Sequence, residues 1–171
     1  MLNVFQGKSI IVTGASRGIG RAIARNFAAN GGKVMLAARN EADLDAALGE
    51  ITKAGGTARG MSCDGGDWAS VQRLVAETAQ AFGGVDVLCA NAGVYPQTKI
   101  VDLDPDEWDE VLKTNLKSNF LCVKACLAEF AKRPGGRVAL APSLPAPLSP
   151  FPRFSHYAAS KPGQPRLLRP A

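Results

Sequence analysis

Five short apolar runs, alternating with stretches of helical periodicity, limit what this chain can fold into more than any other feature. KSIIVT (8–13), KVMLAAR (33–39), TARGMSC (57–63), VDVLCAN (85–91) and RVALA (137–141) read as strands. Near-continuous apolar runs suit strands covered on both faces. Between them lie amphipathic helices. Residues 18–31 place Ile19, Ile23 and Phe27 on one stripe, and Gly31 marks the stop. Residues 41–55 do the same with Leu44, Leu48 and Ile51. Asp67 is positioned to cap a helix over 68–82, with Val71, Leu74 and Val75 inward and Gly83-Gly84 ending it. Pro105 sits at the start of a long amphipathic helix over 106–132. Strands alternating with crossover helices predict an α/β fold: a doubly wound parallel sheet of Rossmann type, three layers α/β/α.

The junction between strand 1 and helix 1 carries the chemistry. It reads Thr13-Gly14-Ala15-Ser16-Arg17-Gly18-Ile19-Gly20. A tight turn wants Gly14, close approach of a pyrophosphate wants no side chain at Gly18, and tight packing of helix on strand wants Gly20. The anion would then lie on the free N–H groups at the helix N-terminus. Three glycines in eight residues also make an ordinary tight turn; the position between strand and helix is what favours nucleotide binding. Strand 2 ends Ala37-Ala38-Arg39-Asn40, with no acid before Glu41. A site selecting NAD usually ends this strand with an acid on the ribose 2′-hydroxyl. Arg39, with Arg17, suits a 2′-phosphate instead, so NADP(H) is expected in preference to NAD(H); the alternative is two solvated arginines.

Composition supports one globular domain. Of 171 residues, 46% are hydrophobic and 20% charged, which excludes a disordered or fibrous chain. No apolar run is long enough to span a membrane, and the N-terminus lacks the pattern of a secretory signal. A cytoplasmic protein with no membrane partner is expected. Cys63, Cys89, Cys122 and Cys126 form no CxxC pair and sit in apolar surroundings, so they read as buried free thiols rather than a disulfide framework or metal site. The net charge of +5 is unevenly placed: residues 1–131 carry 13 basic against 15 acidic residues, and residues 132–171 carry seven basic residues and no acid. Those seven charges are thinly spread with little aromatic interleaving, so nucleic acid is not an expected partner.

Together these residues resemble the short-chain dehydrogenase/reductase family, and within it bacterial 3-oxoacyl-acyl-carrier-protein reductase-like members. The segment 13–20 matches the family's cofactor loop, with Gly14, Ser16, Arg17, Gly18, Ile19 and Gly20 as cofactor contacts. The resemblance makes Asp64 the acid that bonds the adenine amino group, with Gly65 beside it. Asn91-Ala92-Gly93 matches the motif that supports the sheet near the cofactor ribose. Asn115 matches an asparagine whose local helix distortion holds a water in the proton relay. Ser143, Tyr157 and Lys161 match the catalytic serine and the YxxxK pair. The reaction this resemblance implies is hydride exchange between nicotinamide and a carbonyl or secondary alcohol, with Tyr157 as acid or base. Ser143 would polarise the carbonyl, and Lys161 would hold the nicotinamide ribose. An ammonium about 4 Å from a phenol contributes about 4 kcal/mol at an effective dielectric of about 20. His156, beside Tyr157 in sequence, receives no catalytic role. The resemblance also implies a small carbonyl, alcohol or acyl-thioester substrate and a homotetramer or dimer.

The chain departs from that pattern after residue 141. Family members run to roughly 250 residues as one domain. Residues 1–141 are expected to form the dinucleotide-binding core, and 142–171 a proline-rich segment of the same domain carrying the catalytic motif, with the fold incomplete on its C-terminal side. Strand 5 would then be an exposed apolar edge. Eight of the eleven prolines lie at or beyond Pro142. Pro162 directly follows Lys161, and with Pro165 it is expected to disrupt the helix that carries Tyr157. The alternative function is a catalytically inactive dinucleotide-binding fragment.

Overall fold

A computed structural model describes residues 4–132, 135–141 and 152–168. The sheet is built from β1 (Ser9–Thr13), β2 (Lys33–Ala38), β3 (Thr57–Ser62), β4 (Val87–Ala90) and β5 (Arg137–Leu140), all parallel in the order β3-β2-β1-β4-β5. The chain starts in the middle, runs outward to β3, then crosses to β4 and β5. The reversal of direction beside β1 opens a crevice at the carboxyl ends of β1 and β4.

Alternation along each strand divides the core in two. Ile10, Val12, Val34 and Leu36 point to one face, under α1 (Gly18–Ala29) and α2 (Glu41–Lys53). Ile11, Met35 and Leu88 point to the other, under α3 (Trp68–Phe82) and α5 (Ser118–Phe130). Burying each Ile or Leu contributes about 1.5–3 kcal/mol, so the central strands hold the sheet together. Asp67 accepts from Ser70 N at 2.7 Å, capping α3, and Gly83 closes it with φ +87. Asn40 caps α2 the same way through Asp43 N.

Three expectations change. The inward face of α1 is only partly the Ile19–Ile23–Phe27 stripe. Gly20, Ala24 and Ala28 are buried, Ile23 and Phe27 pack at the margin of the core, and Ile19 is 73% exposed. Small residues let the helix approach the sheet closely, with the larger ones at its flank. The long helix over 106–132 is not continuous: α4 (Pro105–Leu112) passes into one π-turn, Lys113–Lys117, before α5. The prolines do not destroy the Tyr157 helix. α6 (Ser155–Ser160) ends at Lys161, and α7 (Gly163–Leu167) begins after Pro162, whose φ of −63 is what its ring imposes. Lys161 N still bonds Tyr157 O at 3.1 Å, so the break falls after the pair and leaves its helical turn intact. β5 matches its expectation as a half-exposed edge: Val138 and Leu140 lie against the core while Arg137 and Ala139 face out.

Candidate active site

The site is assembled where β1, β3, β4 and β5 end. Gly14 takes φ +63 and Gly18 φ +54, values that side chains resist. A Cβ on Gly14 would meet Ala92 Cα at 2.9 Å, and one on Gly20 would meet Asn91 Nδ2 at 2.5 Å and the Gly14 carbonyl carbon at 2.8 Å. A Cβ on Gly18 would meet nothing within 4 Å. Gly14 and Gly20 therefore serve packing, and Gly18 faces open space at the mouth of α1. No side chain caps that helix: Arg17 occupies the N-cap position without a capping hydrogen bond. Free first-turn N–H groups behind an open glycine fit a pyrophosphate. Ser16 is buried in the turn, and Arg17 and Ile19 are exposed at its rim.

β1 and β4 are locked together just beyond their ends. Asn91 N and Ala92 N both donate to Thr13 Oγ1 at 3.1 Å, and Asn91 Nδ2 donates to Thr13 O at 3.2 Å and Gly14 O at 3.4 Å. Asn91 thus supports the glycine turn. Thr13 was not singled out by the sequence, although a threonine ending an apolar strand at such a turn is the signal that pointed to it.

Asn115 lies in the π-turn and is fully buried. Its Oδ1 accepts from Val94 N at 2.8 Å, and its Nδ2 donates to Val94 O at 2.9 Å and Ser160 Oγ at 3.1 Å. Ser160 Oγ in turn donates to Tyr157 O at 2.8 Å. Gln164, 1% exposed, donates from Nε2 to Asn115 O at 2.6 Å. Gly93 sits against this cluster, where a Cβ would come 3.2 Å from Asn115 Oδ1. The distortion of the helix at Asn115 thus serves to anchor the turn of Tyr157 and Lys161 onto the loop after β4. Ser160 and Gln164 are members of the cluster that sequence reasoning missed. A glutamine three residues after Lys161, at a helical position facing inward, was the available clue.

Lys161 is 7% exposed, and burial lowers its pKa from the ordinary lysine value. Its Nζ stands 5.4 Å from the centroid of the Tyr157 ring and donates to Ala141 O, just beyond β5, at 3.2 Å. Two further rings flank Tyr157 edge-on: Tyr95 at 6.4 Å and Phe154 at 6.0 Å. His156 is fully buried and pairs through Nε2 with Glu107 at 3.0 Å, which ties α6 to α4. Ser143 lies outside the described residues.

At the far end of the crevice, Asp64 follows β3. Burial disfavours its charge, but the Gly66 N–H at 2.9 Å and the Lys113 ammonium at 3.3 Å outweigh that and hold its carboxyl below the usual value. Gly65 packs on Ser118. Arg39 is paired through Nη1 with Glu110 at 3.1 Å. The residues expected at the cofactor thus lie at the carboxyl ends of the strands, with Asp64 after β3, residues 14–20 after β1, residues 91–93 after β4, and Lys161 against Ala141 after β5. Among the described residues no cluster could hold a metal ion, and no helix is long and apolar enough to cross a membrane.

Comparison with known proteins agrees with this geometry. The family model described as short chain dehydrogenase matches residues 8–170. Dehydrogenase/reductase SDR family member 4 of Bos taurus is 36% identical over 160 residues, covering 93% of this chain and 57% of that protein. The 3-oxoacyl-[acyl-carrier-protein] reductase FabG of Escherichia coli (strain K12) is 37% identical over 134 residues, covering 78% of this chain and 54% of that one. The chain therefore spans just over half the length of the curated relatives it matches. Among solved structures, a short chain dehydrogenase from Mycobacterium smegmatis superposes with a TM-score of 0.92 at 32% identity, covering 98% of this chain and 70% of that one. A metagenomic short-chain oxidoreductase in complex with NADP superposes with a TM-score of 0.89 at 35% identity, covering 95% and 74%. A family-model match over residues 8–170, on a fold shared with solved short-chain dehydrogenases, places the chain in the short chain dehydrogenase family.

Proposed function

We propose that the protein is an NADP(H)-dependent oxidoreductase that interconverts a carbonyl and a secondary alcohol, 3-oxoacyl-reductase-like in its chemistry. One observation carries this reading: Lys161 and Tyr157 share a helical turn that Asn115 and Ser160 hold beside the crevice opened by Gly14–Gly20. Two relatives lend support by name, one a 3-oxoacyl reductase and one solved with NADP.

A bound nicotinamide would supply or accept the hydride. Tyr157 would give its phenolic proton to the carbonyl oxygen during reduction and take it back during oxidation. Lys161 holds a positive charge against the Tyr157 ring, which favours negative charge building on the phenol oxygen, and it would also bond the nicotinamide ribose. Asn115 has committed its amide to Val94 and Ser160, so it positions the turn; the water link to Lys161 would run past it. Ser143 would orient the carbonyl. Gly14, Ser16, Arg17, Gly18, Ile19 and Gly20 would hold the pyrophosphate, Arg39 the 2′-phosphate, Asp64 and Gly65 the adenine, and Asn91, Ala92 and Gly93 the ribose. Residues 1–141 would act as the dinucleotide-binding core, with 142–171 a proline-rich segment of the same domain that carries Ser143, Tyr157 and Lys161. The outward groove of α4 and α5, bordered by Leu112, Leu116 and Phe120, suits a dimer or tetramer contact in a cytoplasmic enzyme.

The test is NADPH oxidation with an acetoacetyl thioester and with a simple ketone. A rate abolished by Tyr157→Phe, with NADPH affinity kept, supports the reading; no Tyr157-dependent rate on any carbonyl overturns it. A second reading, dinucleotide binding without turnover, draws on the Lys161 ammonium being engaged by Ala141 O. Its signature is saturable NADPH binding with no effect of Tyr157 or Lys161 on any rate.

A further inference from the structure

The two residues that the sequence assigns to the adenosine half, Arg39 and Asp64, are both held by one short stretch, Glu110 and Lys113. Arg39 Nη1 bonds Glu110 Oε1 at 3.1 Å, and Thr114 Oγ1 donates to the same oxygen at 3.1 Å. Glu110 Oε2 lies 3.9 Å from Lys113 Nζ, and Lys113 Nζ lies 3.3 Å from Asp64 Oδ2. The result is a chain of alternating charge, Arg39–Glu110–Lys113–Asp64, laid from the end of β2 across α4 and the π-turn to the end of β3. The Lys113 stem covers Gly66 so closely that a Cβ there would meet its Cγ at 2.7 Å. All four side chains are between 40% and 61% exposed. Ion pairs this exposed are weak, so a ligand anion can exchange into the chain without unfolding anything.

Resting on the NADP(H) reading above, we propose that Glu110 holds down the preference for a 2′-phosphate by acting as an internal anion that this phosphate must displace from Arg39. An incoming phosphate accepts from the Arg39 guanidinium and repels the carboxylate already there. Glu110 has a second cation within reach, Lys113, one helical turn along. Glu110 keeps Lys113, 3.9 Å from its Oε2, as its partner when the phosphate takes Arg39, and Lys113 stays within reach of Asp64. A ligand without the 2′-phosphate displaces nothing and leaves the Arg39–Glu110 pair intact. Neither Glu110 nor Lys113 belongs to the glycine turn or the Tyr157 cluster, and no local pattern marks them.

The experiment is calorimetric titration of the whole chain with 2′,5′-ADP and with 5′-AMP at one fixed ionic strength, for the native protein, Glu110→Gln, Arg39→Met and the double variant. These probes read the adenosine half alone, whatever the nicotinamide half does. Removing the competitor is expected to tighten 2′,5′-ADP two- to fivefold in Glu110→Gln and to leave 5′-AMP within twofold, the scale set by one exposed pair. That gain should vanish in the Arg39→Met background, since the coupling runs through the guanidinium. Tight 2′,5′-ADP binding that Glu110→Gln leaves unchanged or weakens overturns the proposal while leaving the cofactor reading in place. An equal gain for both ligands overturns it too, since that is loss of general repulsion. No binding of either nucleotide to the native protein overturns the cofactor reading and this proposal with it.

Discussion

Gly20→Ala tests the helix–strand junction on which the cofactor reading depends. A methyl group at Gly20 would stand 2.5 Å from Asn91 Nδ2 and 2.8 Å from the Gly14 carbonyl carbon, and closer still to the Gly14 carbonyl oxygen. The Gly14 backbone on one side and the hydrogen-bonded Asn91 amide on the other prevent an easy escape, so α1 must move away from β1 or the Gly14 turn must deform. Overpacking of this kind costs about 1–3 kcal/mol. Pushing Asn91 off Thr13 O and Gly14 O loses about another 1 kcal/mol. Alanine's better helix propensity returns about 1 kcal/mol. The net loss is about 1–3 kcal/mol, which in a chain of this size lowers Tm by roughly 2–12 °C. Gly18→Ala is the control. It has open space around it and pays only for φ +54, about 1–2 kcal/mol, without touching Asn91. Urea unfolding gives the stabilities, and NADPH fluorescence titration on the same samples gives the affinities. Gly20→Ala should lose both stability and saturable NADPH binding. A Gly20→Ala protein as stable as the native one, with unchanged NADPH affinity, would refute the close contact of α1 with the turn.

Asn115→Ala removes three hydrogen bonds, the one to Ser160 buried, and strands the Val94 N–H and C=O, so it should cost about 2–4 kcal/mol in urea unfolding; a loss below about 0.5 kcal/mol would show that Asn115 is not an anchor. Lys161→Met should alter the pH dependence of stability. Burial places the folded-state pKa of Lys161 below its ordinary 10.5, so between those two values the unfolded chain binds more protons and stability rises with pH. The native protein should gain stability as pH climbs towards 10.5 while the Met variant lacks that gain, and parallel curves would contradict it. Cys63, Cys89, Cys122 and Cys126 are all buried and free. Burial raises all four thiols, Cys126 to about 12 and Cys122 further, so a thiol-specific disulfide reagent near pH 8 should label none before denaturation and all four after it. Rapid labelling of one would place that thiol at the surface.

The elements were legible because their signals are local. Strands β1 to β5 follow the apolar runs, and the Asp67 cap and the Gly83 stop sit where the residue types require them. The face of α1 was legible in part: Ile23 and Phe27 pack against the core, but periodicity ranks residues by hydrophobicity, whereas close packing on the sheet put Gly20, Ala24 and Ala28 at its centre for their size. The π-turn left no trace in amphipathicity, which continues through Lys113–Lys117, although the family resemblance put a helix distortion at Asn115. Pro162 does end the Tyr157 helix, as expected, but its fixed φ near −65° lets α7 restart with Pro165 inside it, and only the register of α6 shows that the break comes after Lys161.

The sequence by itself determined the alternation of strands and helices, the glycine turn before α1, the arginine in place of an acid after β2, and the one-turn spacing of Tyr157 and Lys161. All of these lie within a few residues along the chain, where backbone sterics and helical periodicity act directly. Tertiary structure alone decided that Asn115 would hold Ser160 across 45 residues, that Gln164 would fill the Asn115 carbonyl across 49, and that Glu110 would meet Arg39 across 71. Such pairs exist because parallel strands bring distant loops to the same edge of the sheet. Their chemistry depends on which loops become neighbours there, and that is fixed by the order of the strands in space.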